Sequence, residues 1–113
     1  MYKELEGTLN TALGLEYCGG MDDLYDDMLR DYLNESKLDS INELYAAENW
    51  PDYRVQVHAL KSTSLMIGAE HLSARAKELE LAAAEGNADF VKANHEDVMK
   101  EYNELLESIR KYA

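Results

Sequence analysis

The sequence predicts an all-α protein: an antiparallel, up-and-down four-helix bundle with one or two short additional helices at its N-terminus. Apolar residues recur at helical spacing along nearly the whole chain. Breakers are scarce, with one proline and six glycines in 113 residues, which suits long helices. No alternating strand pattern competes, and short connections between amphipathic helices favour antiparallel neighbours. Hydrophobic residues make up 46% of the chain and charged ones 30%, the balance of a single globular domain. A domain of this length buries a core without disulfides or metal.

Each element follows from local signals. A short first helix is expected from Leu5 to Tyr17, ended by Cys18, Gly19 and Gly20, because glycine tolerates the left-handed turn at a helix C-terminus. "MDDLYDDMLRDYLNE" opens with acids that suit a helix N-terminus; Leu24, Met28, Leu29, Tyr32 and Leu33 form its apolar face. "SKLDSINELYAAEN" has Ser36 as an N-cap and a stripe of Leu38, Ile41, Leu44 and Tyr45. It is either a separate helix or a continuation of the second beyond a kink. "NWPDYRVQVHALKSTSLMIG" carries Pro51 near the first helical position, where its missing N–H does no harm, and Gly68 closes it. "AEHLSARAKELELAAAEGN" is rich in strong helix formers and ends at Gly86-Asn87. The last and longest helix places Phe90, Val91, His95, Val98, Tyr102, Leu105 and Ile109 near one face. Residues 1–7 are assigned to an N-terminal extension or linker, and residues 8–113 to the bundle.

The formal net charge is −12. Such a surface repels nucleic-acid phosphates and anionic lipid, so neither is an expected partner. There is no apolar run long enough to cross a membrane, and "MYKELEGTLN" lacks the apolar core of a secretion signal. The single Cys18 has no internal partner, which fits a reducing cytoplasm, and reads as a small core residue. A cytoplasmic monomer is the expectation.

The segment "VHALKSTSLMIG" is the unusual one. With residues at roughly 100° intervals around the helix, Tyr53, Val57, Leu60, Ser64 and Ile67 share one narrow sector, the core stripe. His58 lies nearly opposite, about 160° from Leu60. Its companions are Arg54, Lys61, Ser62 and Leu65, with Val55 and Met66 at the edge. Val55, Leu65 and Met66 are apolar on a face that otherwise reads as solvent-exposed. They either form a docking surface or pack against the short end helices.

A metal site needs three or four ligands at close spacing. His58, His71 and His95 are far apart in the chain, and "HEDVM" departs from the His-Glu-x-x-His pattern. His71 and His95 suit structural or merely exposed positions. Hydrolysis is disfavoured too: Ser62 and Ser64 share a helix with His58, and no loop suggests an oxyanion hole. A nucleophilic His58 remains. A neutral imidazole nitrogen attacks phosphoryl groups, and the Lys61 ammonium, one turn away, offsets phosphoryl charge in transfer. Ser62 is small enough for a partner to approach closely.

"HALKSTSLMIGAEHLSARAKELE", His58 to Glu80, resembles the histidine phosphotransfer (HPt) domains of bacterial two-component phosphorelays. The family pattern of His, any residue, Leu, Lys, a small residue and a later Gly is matched by His58, Leu60, Lys61, Ser62 and Gly68. The family's Leu-Glu in the following helix is matched by Leu79-Glu80, and "GLEYCGGMDDLYDDML" is similar to the family's first turn and second helix. The resemblance spans residues 8–112. It implies that His58 accepts a phosphoryl group from a receiver-domain aspartyl phosphate and passes it to a second receiver, with Lys61 beside the group. Glu80 matches a position that in some members hydrogen-bonds the active histidine. Arg54, Val55, Ser62, Leu65 and Met66 are then the partner-binding residues. Many members carry glycine where this chain has Ser62.

The resemblance also implies a covalent phosphoryl carrier with no cofactor of its own, Mg²⁺ belonging to the receiver. Its partners would be response-regulator receiver domains, including one inside a hybrid sensor kinase. The chain lacks a glycine-rich nucleotide loop of the kind ATP binding uses. The competing expectation is a helical module that binds receivers without being phosphorylated.

Overall fold

A computed structural model describes all of residues 1–113. It is all-helical, as expected. A 3-10 turn, Tyr2–Leu5, is followed by α1 (Thr11–Tyr17), α2 (Asp22–Asn34), α3 (Leu38–Ala46), α4 (Trp50–Met66), α5 (Glu70–Ala84) and α6 (Ala88–Tyr112). The molecule measures 40 × 23 × 20 Å; α6 alone, at 1.5 Å per residue, accounts for nearly all of the long dimension.

Asparagine starts three of the helices. The side chains of Asn10, Asn49 and Asn87 accept the backbone N–H of Leu13, Asp52 and Phe90 at 3.1, 3.4 and 3.2 Å. Each satisfies one of the donors that a helix N-terminus leaves free. Pro51 occupies the first turn of α4. The α2–α3 break is a true break: the Lys37 N–H, just ahead of α3, donates to the Tyr102 hydroxyl at 3.0 Å. Lys37, not Ser36, holds the N-cap position, although the Ser36 hydroxyl still accepts the Leu38 N–H at 3.2 Å.

The N-terminus departs from expectation in two ways. The helix anticipated over Leu5–Tyr17 is divided, because the Asn10 N–H leaves the helical path to donate to the Gly68 carbonyl at 2.9 Å. Residues 1–7 also lie against the bundle instead of extending from it. Tyr2 and Leu5 are buried in the common core, and Tyr2 stacks on Tyr25 with ring centroids 5.1 Å apart. On α2, Leu29 and Tyr32 are buried and Met28 and Leu33 half-buried as expected, but Leu24 is exposed and Tyr25 is fully buried in its stead. Gly14 makes that possible, since a Cβ there would lie 2.3 Å from the Tyr25 ring. The Tyr25 hydroxyl donates to the Ile67 carbonyl at 2.7 Å.

The core stripe of α4 is as the helical phase places it: Tyr53, Val57, Leu60, Ser64 and Ile67 are all buried. The Ser64 hydroxyl is paired with that of Tyr32 at 2.8 Å, so its burial leaves no polar group unsatisfied. A tight turn at Gly68 sends α5 back along α4, so that Ser73 meets Lys61 and Glu80 meets His58. α6 then returns along α5, with Arg75 meeting Asn94 and His71 meeting Glu101.

Candidate functional site

Gly68 sets the geometry of the α4–α5 hairpin. Its φ of +87° is one that only glycine adopts without strain, and a Cβ would lie 2.2 Å from the Asn10 carbonyl oxygen. The Ser73 hydroxyl, on α5, donates to the Lys61 carbonyl at 2.8 Å and pins the two helices at that level. Two turns along α5, Glu80 faces His58.

The three residues singled out for chemistry converge. Glu80 oxygens lie 2.7 and 3.2 Å from His58 Nδ1 and 3.0 and 3.3 Å from Lys61 Nζ. The Glu80 side chain is only 14% exposed, whereas that of His58 is 60% exposed. Burial would raise the Glu80 carboxyl, but the hydrogen bonds and charges of Lys61 and His58 outweigh it and hold Glu80 below the usual carboxylate range. An ionised carboxylate only accepts hydrogen bonds. His58 Nδ1 therefore carries a hydrogen and donates it, so that in the neutral form of the ring the lone pair lies on Nε2.

The surroundings of His58 on α4 are as the phase predicts. Arg54, Val55, Ser62, Leu65 and Met66 are all exposed, so the apolar three do not pack under the end helices. The Ser62 hydroxyl donates back to the His58 carbonyl at 3.2 Å. From Tyr53 to Ala69 there is no acidic residue, in a chain that carries 23 of them. Beyond its first turn, which carries Asp52, the exposed face of α4 is thus a neutral-to-basic strip on an acidic molecule.

Two depressions flank that strip. Toward α2, Met28, Asp31, Glu35, Thr63 and Met66 surround a pocket of about 150 Å³. Toward α5, Lys61, Ser62, Leu65, Glu70, Ser73, Ala74 and Lys77 line an open groove of about 360 Å³. Sequence reasoning missed Lys77 and Ser73. Lys77 precedes Glu80 by one helical turn, and that spacing was the available signal.

The other histidines are separate from this site. His71 is exposed and meets Glu101 at 2.7 Å. His95 is buried between Tyr53, whose hydroxyl lies 2.9 Å from Nδ1, and Asn42, whose Oδ1 lies 2.8 Å from Nε2. No three His, Cys, Asp or Glu side chains form a group able to hold a metal ion, and no helix is long and apolar enough to cross a membrane.

A family model described as Hpt domain matches residues 23–112. No curated protein and no solved structure matches the chain.

Proposed function

The chain belongs to the Hpt domain family, whose members are phosphotransfer modules of two-component phosphorelays, and from that premise we propose that His58 is the residue that carries the phosphoryl group. The carrying observation is the exposed ring whose Nδ1–H is fixed on Glu80. The Nε2 lone pair attacks the phosphorus of a receiver's aspartyl phosphate. The acyl-phosphate P–O bond breaks, a P–N bond forms, and the receiver's aspartate leaves as carboxylate. The Nδ1 proton stays on the ring, and Glu80 stabilises the cationic ring that results. In the onward step an aspartate oxygen of a second receiver attacks and the P–N bond breaks.

Lys61 is the cation beside the phosphoryl group. An ammonium has three donors, and the pairing with Glu80 leaves at least one for phosphoryl oxygens. Glu80 is thus a positioning residue for both His58 and Lys61. Arg54, Val55, Ser62, Leu65 and Met66 receive the partner, and Ser62 narrows the choice of receiver by its hydroxymethyl group. In this reading α2, α4, α5 and α6 are the up-and-down four-helix bundle of a bacterial, cytoplasmic, monomeric carrier. It takes no ATP, and Mg²⁺ belongs to the receiver's acidic pocket.

Mixing the protein with a phosphorylated receiver should give an acid-labile, base-stable phosphate on the wild type and none on His58→Gln. Label on His58→Gln would overturn the assignment. The exposed Val55, Leu65 and Met66 favour one second reading, a module that only binds receivers. That reading requires receiver binding with no transfer, so rapid transfer eliminates it.

A further inference from the structure

We propose that Lys77 is a specificity-determining residue that draws a carboxylate-bearing loop of the receiver into the groove between α4 and α5. This rests on the phosphotransfer reading of His58 and adds to it a side of approach. Lys77 is exposed and forms no ion pair or hydrogen bond within the chain. The nearest carboxylate along its own face, Glu80, is already engaged by Lys61 and His58. Lys77 therefore presents an unpaired charge in a groove shared with Lys61 and Ser62, one helical turn before Glu80, the residue that holds His58.

The groove suits an extended acidic loop. Small side chains, Ser62, Ser73 and Ala74, line it together with Leu65 and three charges: Lys61 (tied to Glu80), Glu70 and the unpaired Lys77. The opposite flank of α4 has the reverse polarity: there Asp31 and Glu35 edge the pocket that holds Met28 and Met66. A partner with carboxylates on one side of its transfer site gains at Lys77 in one orientation and meets Asp31 and Glu35 in the other. The net charge of −12 disfavours acidic partners over the molecule as a whole. Lys77 acts in docking, before any bond changes, so it belongs to recognition and not to the reacting group.

The test takes, from a set of purified phosphorylated receiver domains, the one that transfers fastest to wild type, and measures transfer to Lys77→Glu, Lys77→Gln and Lys77→Arg. Lys77→Glu should raise KM about tenfold with kcat within about twofold, as expected for a docking charge at a rim. Lys77→Arg should restore KM, and Lys77→Gln should flatten the salt dependence of kcat/KM. Wild-type KM and salt slope in Lys77→Glu, or a loss confined to kcat, would overturn the proposal. Phosphoramidate, a small P–N donor that needs no docking, should label His58 equally in all four proteins. Failure of that labelling in wild type would sink the His58 reading itself, separately from Lys77.

Discussion

His95 shows how differently two histidines of one bundle behave. His58 stands in solvent with one nitrogen held, while His95 has both nitrogens held inside the core. Asn42 Oδ1 accepts from Nε2–H, and the Tyr53 hydroxyl donates to Nδ1. The Tyr45 ring stacks on the imidazole at 3.7 Å. Burial lowers the His95 pKa from 6.5 to about 4. The unfolded chain therefore takes up this proton before the native one does, and the His95 contribution to stability falls as pH drops from about 6.5 to about 4, then levels. The loss is up to about 3 kcal/mol. Urea unfolding of wild type and His95→Gln over that range should show the difference between them shrinking as pH falls. A constant difference would refute the buried neutral state. Spacing set His95 near the apolar residues of the last helix but left it either structural or exposed, and its partners were not legible, because Asn42 and Tyr53 come from elements remote in the chain. The Glu80 contact with His58 became legible only through the family resemblance.

Among the elements, α4 was the most readable and its junctions the least. The 100° rule separated Tyr53, Val57, Leu60, Ser64 and Ile67 from His58, Lys61, Ser62 and Leu65, and burial follows that division. A simple hydrophobicity count would have failed there, since Ser64 is inside while Val55 and Met66 are outside. The split of the first helix and the burial of Tyr25 in place of Leu24 escaped prediction. Both depend on a backbone contact between Asn10 and Gly68 and on the absence of a side chain at Gly14, which no local periodicity encodes. Gly68→Ala tests the junction. It meets both the left-handed backbone penalty and the Asn10 carbonyl, so it should cost about 2–3 kcal/mol. The thermal midpoint should then fall by about 10 °C or more. A melting temperature within a degree or two of wild type would show that the α1–α4 junction tolerates displacement.

At the scale of the molecule, charge is the organising quantity. The 23 acidic residues outnumber the 11 basic ones, and few of them are paired. Self-repulsion therefore opposes compaction. Raising the ionic strength from about 0.01 M to about 0.15 M shortens the screening length from about 30 Å to about 8 Å. The melting temperature should rise over that interval; a fall would mean that the paired charges, such as Lys92–Glu48 at 2.8 Å, outweigh the repulsion. The Asn10–Gly68 contact acquires a different meaning at this scale. It is a seam between residues 58 positions apart, joining a stretch that precedes the family-matched region to the turn that aims α5 at His58. The Asn10 amide proton is therefore a clock. Its exchange with solvent reports how often this seam between the N-terminal stretch and the α4–α5 turn opens.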